Sequence, residues 1–183
     1  MHNSKIKKKI ITLIGPTACN KTSTAVHLIK KFPISIIGVD SVQIYKRFNI
    51  GSAKPPKEIL EKYKHHLVDS ADPENIFSVK DFYDQAYRIV LQAHSNNRIP
   101  LLVGGTMMYF NALFKGINDI PEGNEAIREE LQRELDNRGV DKLFNELKEI
   151  DPESAKTIKQ NDKQRIMRAL EVFKISGKKI SDF

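Results

Sequence analysis

The chain has 183 residues, 40% of them hydrophobic and 29% charged, with 30 Lys+Arg against 23 Asp+Glu and a single cysteine. A chain of this size buries a core without disulfides or a structural metal, and Cys19 alone forms neither an intrachain disulfide nor a Cys-based zinc cluster. No apolar stretch approaches the roughly 20 residues of a membrane span, and the short apolar run after the basic start cannot form a signal-peptide core, so the expectation is a cytoplasmic chain without a membrane segment.

In chain order, residues 9–14 (KIITLI) read as a buried strand ending at Gly15. A loop follows, and residues 22–31 carry Ala25, Val26, Leu28 and Ile29 at helical spacing until Phe32-Pro33 stops them. Residues 34–39 (ISIIGV) form a second β-branched run closed by Asp40. Strand, loop, helix and strand make a βαβ start, which implies a parallel sheet covered by helices. Residues 41–76 are irregular, with a short helix expected after Pro55-Pro56. Ser78 and Asp81 form a capping box for a helix whose stripe is Phe82, Ala86, Ile89, Val90 and Ala93. Residues 99–103 (IPLLV) are a third buried strand running into Gly104-Gly105-Thr106, where Thr106 is the expected N-cap of a helix that stops near Gly116.

The net charge of +7 is uneven: +9 over residues 1–116, −7 over 117–155 and +5 over 156–183. Two basic segments around an acidic one suggest a core that meets a polyanion and an insert that faces water, with a generic basic surface as the alternative. The acidic segment has helical periodicity at Ile127, Leu131 and Leu135 and again at Leu143, Leu147 and Ile150, so it reads as a helical hairpin turning at Arg138-Gly139. A last helix runs over about residues 162–175, with Ile166, Leu170 and Phe173 inward and Gly177 as its stop. The predicted architecture is an α/β fold, a parallel sheet flanked by helices and built from 1–117 and 155–183, with 118–154 as a small helical insertion.

The strongest chemical signal is Gly15-Pro16-Thr17-Ala18-Cys19-Asn20-Lys21-Thr22, placed between a strand and a helix. In such a loop the backbone N–H groups and helix dipole face an anion, Lys21 neutralises phosphate charge and the Thr22 hydroxyl binds Mg²⁺. Asn20 stands where the motif has its second glycine; asparagine is the residue that best tolerates left-handed backbone after glycine. Cys19 reads as a small residue, since neither His nor Asp falls near it in sequence to make a nucleophile pair.

Asp40 ends the second strand at the sheet edge where the loop opens. Three roles stay open for it: Mg²⁺-water ligand, general base toward a substrate amine or hydroxyl, or cap of the following turn. Gly104-Gly105-Thr106 reaches the same edge, where Thr106 serves a ligand or only the helix. His65-His66 has no further His or Cys partner nearby and is not read as a metal pair. Gln164 and Arg168 lie four apart on one helix face beside Arg165, suited either to RNA contacts or to a solvated surface.

Taken together and in order, GPTACNKT, VDSVQIYK, IGSAKP, HHLVD, FSVKDF, RIPLLVGGTMMYFNAL and NDKQRIMRALEVFKISGK closely resemble the tRNA dimethylallyltransferase (tRNA isopentenyltransferase) family over nearly the whole chain. The resemblance implies a P-loop NTPase-like core, C-terminally incomplete here, and a nucleotide-binding (ATP-binding) prenyltransferase that moves a dimethylallyl group from dimethylallyl diphosphate, with Mg²⁺, to N6 of the adenosine 3′ of the anticodon in tRNAs reading codons that begin with U. It implies diphosphate binding by Gly15, Pro16, Thr17, Ala18, Cys19, Asn20, Lys21 and Thr22, with Thr22 toward Mg²⁺, and catalysis by Asp40 as general base with Thr106 assisting at the diphosphate. It further implies contact with the tRNA anticodon stem-loop by Asp40, Ser41, Val42, Gln43, Thr106, Arg128, Gln164, Arg165, Ile166, Met167 and Arg168, in a monomer. The family continues beyond the Ser176-Gly177-Lys178 signature with a region that supplies another strand beside the first, and this chain is expected to lack it. The alternatives are an enzyme that prenylates free adenine nucleotides, a small-molecule kinase or ATPase, and an inactive or weakly tRNA-binding remnant; the basic segment over 156–179 favours RNA over a free nucleotide.

Overall fold

The structure is a computed structural model that describes residues 9–183; the basic start counted in the charge above lies outside the described residues. The chain divides into two compact units, Met1–Ile117 and Asn118–Phe183.

The first unit is a four-stranded parallel sheet of β1 (Ile11–Ile14), β2 (Ile34–Val39), β3 (His65–His66) and β4 (Ile99–Gly104), in the spatial order β1-β4-β2-β3. Its helices are α1 (Lys21–Ile29), α2 (Lys57–Lys62), α3 (Val79–Ser95) and α4 (Met107–Lys115). β2 lies between two neighbours and is buried at every position, which is why six residues in a row are apolar or small. The expectation of a buried first strand is corrected: Ile11 is 42% exposed and Ile14 44%. The reason is position, because β1 ends the sheet and pairs with β4 alone among the described residues.

One side of the sheet packs Ile37, Val39 and Leu102 against Phe82, Ala86 and Val90 of α3 and Tyr109 and Phe110 of α4. The other packs Ile36 and Leu101 against Ala25 of α1. The capping box of α3 forms as expected: Asp81 N–H donates to Ser78 Oγ at 3.1 Å and Ser78 N–H to Asp81 Oδ2 at 2.9 Å. Phe82 and Tyr109 stack with centroids 4.0 Å apart and fix α3 against α4. Within residues 41–76, the two-residue β3 extends the sheet beside β2, a pairing too short to leave a periodic signature.

The second unit holds α5 (Glu125–Arg138), α6 (Val140–Ile150), α7 (Pro152–Thr157), α8 (Lys163–Ser176) and a closing 3-10 turn (Ile180–Asp182). Helices α5 and α6 form the expected hairpin, turning at Gly139 with φ of 77°. The division that placed 155–183 with the α/β core is corrected, because α8 packs on α5 and α6 and buries Ile166 and Leu170 among Leu131, Leu143 and Leu147. An apolar stripe on a helix states that a partner exists and not which one. Asp151, 1% exposed, ties this unit together: Ser154 and Ser181 each donate a backbone N–H and a hydroxyl to it, at 2.7–3.1 Å. Burial works to raise its pKa, but those four bonds outweigh it and hold the carboxyl below its ordinary value.

Among the described residues no helix is long and apolar enough to cross a membrane. A parallel sheet flanked by helices, with the Gly15–Asn20 turn between β1 and α1, is the P-loop NTPase-like arrangement expected from sequence.

Candidate active site

In a parallel sheet the carboxyl ends of all strands reach one rim. Ile14 and Val39 both pair with Gly104, so β1, β4 and β2 end level with one another. The phosphate loop leaves β1 there, Asp40 follows β2, and Gly105-Thr106 follow β4. A cavity of about 560 Å³ opens at this rim. Thr17, Ala18, Asn20, Lys21 and Thr22 of the loop line it, together with Asp40 and Gln43. Gly15, Pro16, Cys19, Ser41, Val42 and Thr106 are not part of its wall.

The loop is shaped by two left-handed residues and held by the Lys21 side chain. Asn20 is left-handed, with φ of 60° and ψ of 24°, and stands at the N-cap of α1 without capping it through its side chain. The glycine position therefore demands the conformation inferred for it, and asparagine meets it at a modest cost. Ala18 is also left-handed, with φ of 66°, which its sequence position did not reveal. Lys21 turns back over the loop, donating to Gly15 O at 2.8 Å and to Pro16 O, with Cys19 Sγ 3.6 Å away. Cys19 is an exposed free thiol. Asn20→Gly is expected to leave the fold intact and to raise stability by about 0.5 kcal/mol through relief of the left-handed side chain, read as a rise in the thermal unfolding midpoint.

Asp40 serves the following turn with one oxygen: Oδ1 accepts from Val42 N–H at 2.9 Å and Gln43 N–H at 3.1 Å. Among the described residues Oδ2 has no hydrogen-bond partner, so the carboxylate that caps this turn keeps a second, uncommitted oxygen, and Asp40 lines the cavity. The Gln43 side chain is spent on the chain itself, Nε2 donating to Ser52 O at 3.1 Å and Ala53 O at 2.9 Å.

Thr106 occupies the N-cap position of α4, but its side chain does not cap the helix. Instead Oγ1 accepts Ser41 N–H at 3.0 Å and lies 3.5 Å from Ser41 Oγ. It thereby ties the end of β4 to the residue after Asp40. Gly104 has a reason other than close approach of a ligand: a Cβ there would stand 2.0 Å from Val39 O. Gly104→Ala is expected to separate β4 from β2 and to cost about 3 kcal/mol, read as a drop in denaturation midpoint.

Sequence reading missed one wall of the cavity. Ser23, Val26 and His27 of α1 and its C-cap Lys30 line it at i, i+3, i+4 and i+7, a spacing that was available as a signal. Pro56 and Ile59 add apolar surface to its lining. Lys54 was also missed: 3% exposed, its ammonium donates to Asp69 Oδ1 at 2.6 Å, Tyr45 O at 2.9 Å and Asn49 Oδ1 at 3.1 Å, pinning the segment that carries Ser52 and Ala53. No group of three His, Cys, Asp or Glu stands ready for a metal among the described residues. The Thr22 hydroxyl has no intramolecular partner among them and lines the cavity, so it fits an ion that takes its other ligands from phosphate and water.

In the second unit, Glu171 is 2% exposed and gathers three donors: Arg128 Nε at 2.9 Å, Arg168 Nη1 at 2.6 Å and Asn124 N–H at 2.9 Å. Burial acts to raise its pKa, and the bonds and charges of Arg168, Asn124 and Arg128 overcome that and hold it below the ordinary value. Arg168 also donates to Pro121 O at 2.7 Å. Of the residues expected on an RNA-facing helix, Gln164 and Arg165 are exposed, Met167 and Arg168 are half-buried, and Ile166 is fully buried. The Ile166 side chain belongs to the core of this unit, so only its backbone is available to a partner. Arg165 is paired with Asp162 at 3.3 Å.

The IPP transferase family model matches residues 43–183. The tRNA dimethylallyltransferase of Vesicomyosocius okutanii is 46% identical over 178 residues, which is 97% of this chain and 58% of that protein. The tRNA dimethylallyltransferase of Dichelobacter nodosus is 44% identical over 168 residues, 92% of this chain and 53% of its own. Among solved structures, the full-length tRNA isopentenylpyrophosphate transferase of Bacillus halodurans matches with a TM-score of 0.59 at 40% identity, over 93% of this chain and 57% of that one. A eukaryotic dimethylallyltransferase acting on tRNA matches with a TM-score of 0.79 at 29% identity, over 96% of this chain and 44% of that one. The chain spans about half the length of the curated relatives it matches. With a matching family model over most of its residues and a sheet rim that joins the phosphate loop to Asp40, the chain belongs to the IPP transferase family.

Proposed function

We propose that this chain carries the transfer site of a tRNA dimethylallyltransferase, moving a dimethylallyl group from dimethylallyl diphosphate to N6 of the adenosine 3′ of the anticodon in tRNAs reading codons that begin with U. The observation that carries this reading is the single cavity of about 560 Å³ walled by both the phosphate loop and Asp40. The loop amides, the N-terminal end of α1 and the Lys21 ammonium stabilise charge that builds on the diphosphate as the allylic C–O bond breaks. Lys21 leaves its bonds to Gly15 and Pro16 to do so. The Thr22 hydroxyl would hold Mg²⁺, which supplies further neutralisation of the leaving group when bound.

As the new N–C bond forms at N6, the amine must lose a proton, and Asp40 Oδ2 takes it while Oδ1 stays fixed by Val42 and Gln43. Thr106 acts indirectly, holding Ser41 and with it the turn that orients Asp40. Pro56, Ile59 and Val26 give the cavity the apolar surface that a five-carbon allyl group needs. The adenine must leave its stack to enter.

The test incubates an anticodon stem-loop with the protein, dimethylallyl diphosphate and Mg²⁺, and reads prenylated adenosine by mass. Parallel titrations compare stem-loop with AMP. Product on the stem-loop supports the reading. Tight AMP binding without stem-loop binding would move the protein to the enzymes that prenylate free nucleotides, and stem-loop binding without product would make it a tRNA-binding remnant.

A further inference from the structure

A second cavity, of about 330 Å³, opens at the opposite rim of the same sheet, where β2 and β4 begin. Lys62, Lys64, His66 and Arg98 converge on it, and no carboxylate lines it. This separates it from cations elsewhere in the chain: Lys54 has Asp69, Arg128 and Arg168 share Glu171, and Lys174 of α8 pairs with Glu130 and Glu134 of α5. Among the described residues the side chains of Lys64 and His66 have no hydrogen-bond or ion-pair partner. Lys62 is only held over the Tyr63 ring, 5.7 Å from its centroid.

Arg98 is aimed by its neighbours. Nε donates to Ser35 Oγ at 3.0 Å and Nη2 to Ile34 O, which fixes the plane of the guanidinium and leaves Nη1 uncommitted. Burial, and then the neighbouring Lys64, Arg98 and His65, lower the pKa of His66 and hold its ring toward the neutral form, so the positive charge at the cavity rests on Lys62, Lys64 and Arg98, with no carboxylate in the lining to offset it. Gln92 and Asn96 of the α3 end add uncharged amide donors to the wall. Convergent cations with a pre-oriented guanidinium are complementary to a phosphate group, which accepts several charge-assisted hydrogen bonds at once.

We propose that this cavity is a binding site for a small phosphate-bearing anion, inorganic phosphate or a phosphate monoester, distinct from the phosphate loop. Its volume is at the lower end for small-ligand sites, which suits a phosphate with a modest substituent. The two anion sites lie at opposite rims of one sheet and each has its own histidine, His66 here and His27 beside the phosphate loop.

The test titrates the intact chain with inorganic phosphate at constant ionic strength and follows the imidazole resonances of His66 and His27 separately. His66 is expected to shift saturably at about millimolar phosphate, the range reached by a few charge-assisted hydrogen bonds. Replacing two exposed cations, Lys62→Gln with Lys64→Gln, is expected to weaken the His66 response about tenfold while leaving the His27 response unchanged. Because Lys64 has no partner and Lys62 only the Tyr63 ring, the fold survives the double substitution. A His66 signal that matching chloride moves equally, that phosphate leaves unmoved at about 50 mM, or that ignores the double substitution overturns the site. A signal that moves with an RNA stem-loop and not with phosphate also overturns it, identifying a nucleic-acid-facing surface instead.

Discussion

On the function proposed above, Asp40→Asn is expected to reduce prenyl transfer by about 10²–10⁴-fold, the contribution of a positioned general base, while leaving the denaturation midpoint and stem-loop affinity near those of the parent protein. The asparagine oxygen can still accept the Val42 and Gln43 N–H groups that Oδ1 accepts now, so the turn survives and only proton acceptance is lost. Asp40→Ala is expected to lose as much activity and, in addition, about 1 kcal/mol of stability, because two backbone donors lose their acceptor. The pair of variants separates chemistry from capping. Retained activity in Asp40→Asn would remove Asp40 from the proton transfer and return it to the structural role.

Glu171→Ala is expected to destabilise the helical unit by about 2 kcal/mol, below the usual cost of breaking a buried ion pair because both arginines keep access to water. The loss falls on α5 and α8 together, since Arg128 and Asn124 belong to the start of one and Arg168 to the other. Its dependence on pH has a definite sign. The folded pKa of Glu171 lies below the ordinary 4.5, so its stabilisation is complete above that value and is lost as pH falls through the folded pKa. The difference between parent and Glu171→Ala is therefore expected to be constant near neutrality and to shrink as acid is added below about pH 4.5. Asp151, also held below its ordinary value, makes the parent protein acid-labile in the same direction. Chemical denaturation at a series of pH values reads both effects; a difference that grows in acid would show that Glu171 is not the charged anchor of the two arginines.

Glu171 also bears on where RNA contacts can arise. Arg128 and Arg168 carry their charge into a cluster that already holds a carboxylate, and Arg168 is further committed to Pro121 O. Two guanidinium groups around one carboxylate leave a single net positive charge, so a count of basic residues along α8 overstates what is available to phosphate. Gln164 and Arg165 are the members of that stretch left most exposed.

The local layer of this protein was written in its residues. The β2 run 34–39, the Ser78–Asp81 capping box, the hairpin turn at Gly139 and the left-handed demand at Asn20 each arise from forces spanning a few residues, and each is found where its chemistry places it. The meeting of the phosphate loop and Asp40 was also legible, because strands of a parallel sheet all end at one rim and both groups follow strand ends. Tertiary structure alone decided which partner each apolar stripe found: α8 took α5 and α6, and β1 became an edge with exposed isoleucines. It also decided how polar groups were spent, with Gln43 on Ser52 and Ala53, Thr106 on Ser41, Lys54 on Asp69, and Arg128 and Arg168 on Glu171. Periodicity records that a face is apolar, and residue type records what a group can bond. The identity of the partner depends on contacts between residues far apart in the chain, and those exist only once the chain has closed on itself.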